Sequence, residues 1–420
     1  MLSFINLQEK RAFIERLERY SIIGIVFFIP ISPAAPNLLG LLLILLWIIK
    51  GQYQESWLKV KSQPLFWAFM AYLVIYPLSL IWSEDQAWGA HMVERHMIFL
   101  LFPFLLMASR YEDLPKYLAA FIMGMTLTEL TSYLVWFEWL HLEGISPENP
   151  SPFYRHTIYN PMLAWGLYLV LQGLLYEHRS LPIKFFFALF ATTMTINMFI
   201  TEGRSGQIAF LILSGLIFLQ YFAARGHIVR GVVVALVFVI TVVAIAYYSS
   251  PLFNQRVNLA VSEVQNFQPS DQTSVGTRVG FYINTLEMSM NRPIDQFLLG
   301  SGVGDFPADY TASLKDPNAV KLYAGTEPGH HSHPHNQYLY ELGALGLMGF
   351  MTFMAMFAAM IKVARSQKDN FQPHRVAFLV FMGIVMLSDS LLLAHGTAVL
   401  FIVFSALLYA NHSSKVSNNV

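Results

Sequence analysis

Apolar runs follow one another along almost the whole chain, each about as long as a bilayer is thick, and this limits the possible folds more than any other feature. A helix crossing the hydrocarbon core needs about 17 to 25 mostly apolar residues. Candidate runs lie near 20–33, 36–49, 64–82, 95–109, 116–138, 157–176, 184–201, 205–223, 229–248, 337–361, 374–391 and 394–411. Of the 420 residues 55% are hydrophobic and only 12% charged, too apolar for an ordinary soluble domain. The expected fold is an all-α polytopic membrane protein with about twelve transmembrane helices. An even number of spans places both termini on one side.

Positive side chains are retained in the cytoplasm, so their distribution orients the bundle. The N-terminal segment, the loops after even-numbered spans and the C-terminal tail hold eighteen of the 26 Lys and Arg residues, among them Lys10, Arg11, Lys59, Lys61, Arg110, Lys184, Arg230, Lys362 and Arg375. The opposite side holds Arg95, Arg155, Arg204, Arg256, Arg278, Arg292, Lys315 and Lys321, and five of these sit in one long loop whose length exempts it from the rule. Both termini are therefore expected in the cytoplasm and the long loop outside. The division that follows is an N-terminal bundle of about nine spans over 1–248, an outer and mainly helical loop over 249–336, and about three C-terminal spans over 337–420. The first twenty residues, interrupted by charges, read as a short amphipathic cytoplasmic helix and not a signal peptide.

Composition also excludes partners. A formal net charge of zero with no block of like charge gives no reason to expect nucleic acid. The absence of cysteine removes disulfides and thiolate metal sites. A carrier built from two similar halves would show symmetry of spans, but here nine precede the large loop and three follow it.

Within the loop, "PLFNQRVNLAVSEVQNF" and "SVGTRVGFYINTLEMSMNRP" have helical spacing, with Ser274 placed to cap the second. In "LLGSGVGDF" the glycines at 300, 302 and 304 lack dinucleotide-fingerprint spacing and read as a flexible turn. Arg278 falls on the polar side of the second loop helix. Arg204, in "FITEGRSGQIAF", lies between two spans with Gly203 and Gly206 beside it, which would let backbone approach a ligand closely, while its guanidinium offers a fork of donors. A solvated helix charge and a snorkelling interfacial arginine are the bland alternatives.

The stretch "EPGHHSHPHNQYLYELGALGLMGF" places His330, His331, His333 and His335 just before the tenth span. If the helix starts near Pro334, a histidine of its first turn meets the positive end of the helix dipole. That end favours the neutral imidazole, the proton acceptor needed for general-base chemistry. His331, His333 and His335 alternate and, with Glu327 or Asp305, make a formal zinc set. Pro334 and the adjoining helix start argue against that geometry, so no metal is expected. Glu129 and Asp389, carboxylates within apolar runs, are expected to be paired or cavity-facing. Arg155 and His156 enter the sixth span from the outer side and are placed to join the same pocket.

Taken together, "HNQYLYELGALGLMGF" at 335–350, "GRSG" at 203–206, "TRVGFY" at 277–282 and "LLGSGVGDF" at 298–306 resemble the O-antigen ligase family, within the wider ligase and polymerase superfamily of bacterial surface-polysaccharide assembly. The resemblance implies a GT-C-like glycosyltransferase of the bacterial inner membrane, acting on the periplasmic side without metal or cofactor. It implies transfer of an O-antigen chain from undecaprenyl diphosphate to a sugar hydroxyl of lipid A-core oligosaccharide. By position, the family's essential histidine falls on His335 as general base, and its two essential arginines fall on Arg204 and Arg278 as diphosphate ligands. Asn336, His333, Arg155, His156 and Gly203 are the supporting candidates. An O-antigen polymerase or a protein O-oligosaccharyltransferase would use the same donor type. A lipid-linked sugar transporter would bind it without chemistry. Membrane lipids are the remaining partners, and the oligomeric state is left open.

Overall fold

A computed structural model describes residues 2–176, 180–265, 274–314 and 333–410. His330, His331 and Glu327, and the charges Arg179, Lys315, Lys321 and Lys415, lie outside the described residues. The described chain is helical with no strand, and it is a polytopic membrane protein. Its helices are α1 (Leu2–Phe28), α2 (Ala34–Lys50), α3 (Tyr53–Lys61), α4 (Pro64–Ser79), α5 (Gln86–His96), α6 (Leu101–Ala108), α7 (Leu114–Trp136), α8 (His156–Leu175) and α9 (Leu181–Ile200). There follow α10 (Arg204–Ala223), α11 (Ile228–Ser249), α12 (Pro251–Gln265), α13 (Ser274–Met290), α14 (Ile294–Leu299), α15 (Phe306–Ser313), α16 (Gln337–Ser366), α17 (Gln372–Ser388) and α18 (His395–Tyr409).

Every apolar run of the sequence is helical, but among the described residues eight helices are long and apolar enough to cross a membrane, or nine if the bent pair α2 and α3 is one span. The shortfall from twelve has physical causes. The first run continues the N-terminal amphipathic stretch as one helix, α1, because no glycine or proline interrupts residues 2–23. At Gly51, in the left-handed region at φ +67, the chain turns by 119° into α3, which exposes Trp57 and Leu58 as an interfacial helix does. Helices α17 and α18 are short, and α18 is buried along its length from Gly396 to Tyr409.

The core sits where α8, α17 and α18 meet. Trp165 stacks on Phe381 at 5.8 Å and meets Phe404 edge-on at 5.5 Å, an arrangement aromatic quadrupoles favour. Helix α11, by contrast, keeps almost all its apolar surface outward, where lipid is its natural neighbour.

The glycine-rich stretch after α14 is a wedge, not the free turn expected from its composition. Helix α16 is broken at Gly346, whose φ of 64° and ψ of −165° are open to glycine alone. Gly300, at φ +73, packs into that break: a Cβ on Gly346 would lie 2.3 Å from the Gly300 nitrogen. Asp305 then fastens the wedge, accepting from Ser83 Oγ at 3.0 Å, Glu84 N at 3.0 Å and Asp85 N at 2.8 Å. Arg292 adds a clamp to the same helix, donating to Gly343 O and to Asp309, both at 2.6 Å. These ties hold the segment that bears α13 against α16.

Candidate functional site

The site forms where the approach to α16 meets the end of α17. Asn336 is the N-cap of α16, its side chain accepting from Leu339 N at 3.1 Å. The helix therefore begins three residues after Pro334, and His335 stands before the cap, not inside the first turn. Its φ of +50° is rare for a side-chain-bearing residue. The helix dipole is then a weaker influence on this imidazole than the expected first-turn placement implied, because the effect falls off within the terminal turn.

What faces His335 instead is Asp389. This carboxylate is not inside a span: it is the C-cap of α17 in extended conformation. Its Oδ1 lies 3.1 Å from His335 Nδ1, 3.8 Å from His333 Nδ1, and accepts from Ser390 N at 2.8 Å. Burial pushes the Asp389 carboxyl up, but the His335 hydrogen bond, the charges of His333 and His335 and the Ser390 N–H outweigh it and hold the carboxyl below its usual range. With Nδ1–H of His335 donated to Asp389, Nε2 is the nitrogen whose lone pair is free whenever the imidazole is neutral. The His335 side chain is 36% exposed, so an incoming molecule can reach the imidazole.

Helix α13 lies across the same spot. Phe281 meets the His335 ring edge-on at 5.8 Å. The Tyr282 hydroxyl sits 2.5 Å from Leu387 O and 3.3 Å from His335 O, pinning the end of α17 to the histidine backbone. Burial, with the Asp389 charge behind it, raises the Tyr282 phenol despite Arg278 and Asn336, so it remains a donor. Arg278, four residues earlier, shares that face of α13 and is half-buried.

Arg204 is the first residue of α10 and not part of a loop. Its Nη2 is buried and has no hydrogen-bond partner among the described residues, which is costly for a guanidinium unless a ligand supplies an acceptor. It feels the charges of Glu263, Arg256, Arg278 and Glu202. Arg256 is ion-paired with Glu202, whose backbone N–H donates to Asn149 Oδ1 at 3.1 Å. Asn149 also meets His156 Nδ1 at 3.0 Å, and His156 feels Glu202, Arg256 and Arg155. Charge couples Arg204 to Arg278, Arg256 and Glu202, and Arg278 to Tyr282, whose hydroxyl meets the His335 backbone; His333 and Asn336 flank His335, and Arg155 and His156 join through Glu202 and Arg256. The arginines outnumber the carboxylates Glu202, Glu263 and Asp389 only slightly, and it is the Arg204 Nη2, without a partner among the described residues, that suits an oxygen of a phosphate-bearing ligand.

Gly203 and Gly206 serve a different purpose from the expected one. A Cβ at Gly203 would come 2.4 Å from the Asn160 side chain, and one at Gly206 would come 2.3 Å from the Asn160 carbonyl carbon. The glycines let α10 press on α8, which sets Arg204 in place. Glu129 is buried with Thr193 beside it and is not part of the cluster.

Sequence reasoning missed three contributors. Tyr282 carries no signal beyond the helical spacing of its segment. Gln337 and Glu341 were passed over inside the apolar tenth run, although a carboxylate four residues after an amide in such a run is itself a signal. As for metal, the ligating atoms of His333, His335 and Asp389 lie within 4.8 Å of one another, close enough to share an ion.

Residues 188–354 match the family model described as O-antigen ligase. The match contains α10, α13 and the start of α16, and hence Arg204, Arg278 and His335. No curated protein matches the chain.

Proposed function

We propose that this chain, which carries an O-antigen ligase family domain at residues 188–354, transfers O-antigen from undecaprenyl diphosphate to a sugar hydroxyl of lipid A-core oligosaccharide. The observation that carries the reading is the partly exposed His335, held through Nδ1 by Asp389, with Arg278 reaching the neighbouring Tyr282 and coupled by charge to Arg204. In this reading the diphosphate of the donor accepts from Arg204 Nη2 and the Arg278 guanidinium. Their charge stabilises the diphosphate as the bond from the anomeric carbon to its oxygen breaks. His335 Nε2 takes the proton of the acceptor hydroxyl while that oxygen forms the new bond to the anomeric carbon. Asp389 steadies the imidazolium that results. Attack from the face opposite the diphosphate inverts the anomeric centre.

A lateral groove of about 1010 Å³ between α9 and α11 supports a lipid-linked donor. It is lined by Ile196, Phe199, Phe238 and Val242, and its polar end reaches Gln255, next to Arg256. A polyprenyl chain can lie there with its diphosphate toward the arginines. The same reading sets the protein in the inner membrane with both termini cytoplasmic, residues 249–336 as the periplasmic loop between bundles 1–248 and 337–420, and the site facing the periplasm.

The test is transfer in detergent from purified undecaprenyl diphosphate-linked glycan to lipid A core, with excess chelator, for the wild type and His335→Ala. Transfer that survives chelator, gives an inverted anomer by NMR and disappears in His335→Ala is the expected result. Activity abolished by chelator and restored by a divalent cation would make His333, His335 and Asp389 a metal centre. Lengthening of the lipid-linked glycan with lipid A core ignored would make the protein a polymerase.

A further inference from the structure

A buried polar chain runs from α4 into the site, and the mechanism above does not use it. Glu341 is fully buried on α16, as are Gln337, Tyr72 and Tyr76. Glu341 Oε1 accepts from Tyr72 OH at 2.5 Å, Tyr76 OH at 2.9 Å and Gln337 Nε2 at 2.7 Å. Gln337 Oε1 in turn accepts from Leu392 N at 2.8 Å. Leu392 belongs to the short turn segment 389–394, which begins with Asp389 and folds on itself through Leu393 N to Ser390 O and Ala394 N to Leu391 O.

We propose that Glu341 is a positioning residue for the His335–Asp389 pair, acting through the Gln337 amide on the 389–394 turn. The argument is one of donors and acceptors. A glutamine amide has a donating and an accepting end, and rotation about its last bond exchanges them at little steric cost. Glu341 Oε1 presents an acceptor, so it holds the Gln337 NH₂ group and thereby points the carbonyl oxygen at Leu392 N–H. Tyr72 and Tyr76, from α4, fix Glu341 in its own place. Neither His335 nor Asp389 lies within a regular helix, so neither has a helix ladder to place it. A polar group buried at this depth is expensive, and four of them joined end to end, leading to the turn that begins with Asp389, form a connected device.

The inference rests on the proposed transfer reaction for its meaning but not for its first test, which is hydrogen exchange by mass spectrometry on the purified full-length protein in detergent. Glu341→Leu, which does not touch the turn, is expected to speed exchange of a peptide covering 389–397 about tenfold, as loss of one oriented hydrogen bond would. Glu341→Gln keeps an acceptor oxygen and is expected to leave that exchange unchanged. In transfer assays Glu341→Leu should lower kcat about tenfold with donor KM unchanged, and Glu341→Gln should rescue it. If Glu341→Leu does not accumulate, Gln337→Leu removes the acceptor that Leu392 N–H meets and should free the turn in the same way. Exchange at 389–397 that is the same in wild type as in Glu341→Leu, or as in Gln337→Leu, overturns the inference. A turn that responds as expected in a protein with no transfer activity overturns the proposed reaction and leaves the wiring standing.

Discussion

Asp389 Oδ1 lies 3.1 Å from His335 Nδ1 although 54 residues and the whole of α16 and α17 separate them in the chain. The hydrogen bond selects the tautomer that leaves Nε2 to accept a proton. Asp389→Asn keeps the size but exchanges an acceptor-only group for one that can also donate. Transfer is expected to fall roughly tenfold to a hundredfold, less than the 10² to 10⁴ expected for His335→Ala. Steady-state rates at saturating donor for the two variants check the order.

Arg204 and Arg278 are expected to act through forked hydrogen bonds and not through charge alone. Arg204→Lys keeps the charge but cannot make the paired contact, and should lose about tenfold in transfer or more, since a charge-assisted hydrogen bond contributes about 1.5–3 kcal/mol. Arg204→Ala together with Arg278→Ala should cost less than the product of the single losses, because both would hold one diphosphate. Donor titration of the four variants tests this; a Lys variant equal to wild type would remove the fork from the argument.

Two glycines at different kinds of position should respond oppositely to alanine. Gly346→Ala places a Cβ 2.3 Å from the Gly300 nitrogen at a backbone conformation that only glycine adopts readily, with a strain of about 1–3 kcal/mol before the clash is counted. Gly280, within α13, has nothing among the described residues within 4 Å of an added Cβ, so Gly280→Ala should stabilise by about 0.5–1 kcal/mol. Thermal unfolding in detergent should move down for the first and slightly up for the second.

At the far end of α17, Asp369 receives both terminal nitrogens of the fully buried Arg375 at 2.8 Å. Burial pushes the Asp369 carboxyl up, but the arginine's hydrogen bonds and charge and the N–H groups of Phe371 and Gln372 outweigh it and bring it below its ordinary value. A carboxyl depressed in the folded state contributes stability in full above its unfolded value of about 3.9. That contribution disappears as pH falls through the lower folded value. Asp369→Asn should therefore destabilise by about 1.5–3 kcal/mol near neutrality. The gap to wild type should close only in strong acid, and melting curves taken against pH check it.

The membrane bundle was legible because hydrophobic run length is a property of the local sequence. The two loop helices were legible from their spacing, and the arginines and His335 from the motifs around them. What could not be read was anything decided by an encounter between distant segments. Asp389 looked like an intramembrane carboxylate because only the structure shows α17 ending at Ser388. The glycines at 203 and 206 looked like a ligand approach because nothing local announces Asn160 on the neighbouring helix. The stretch at 298–306 looked loose because its partners, Ser83 and the break at Gly346, lie on other elements. Glu341 was hidden by the apolar residues around it, which carried the helix assignment and masked the one carboxylate among them.

The break at Gly346 also divides α16 mechanically. A continuous helix of thirty residues would behave as a lever, with any tilt of its lipid-embedded end swinging the other end by ångströms. An unwound turn transmits little bending moment. The segment 337–345 is instead fixed to α4 through Glu341 and to the 300–305 wedge and Arg292 from the side. A tilt of residues 347–366 therefore need not carry over to the distance between His335 and Asp389.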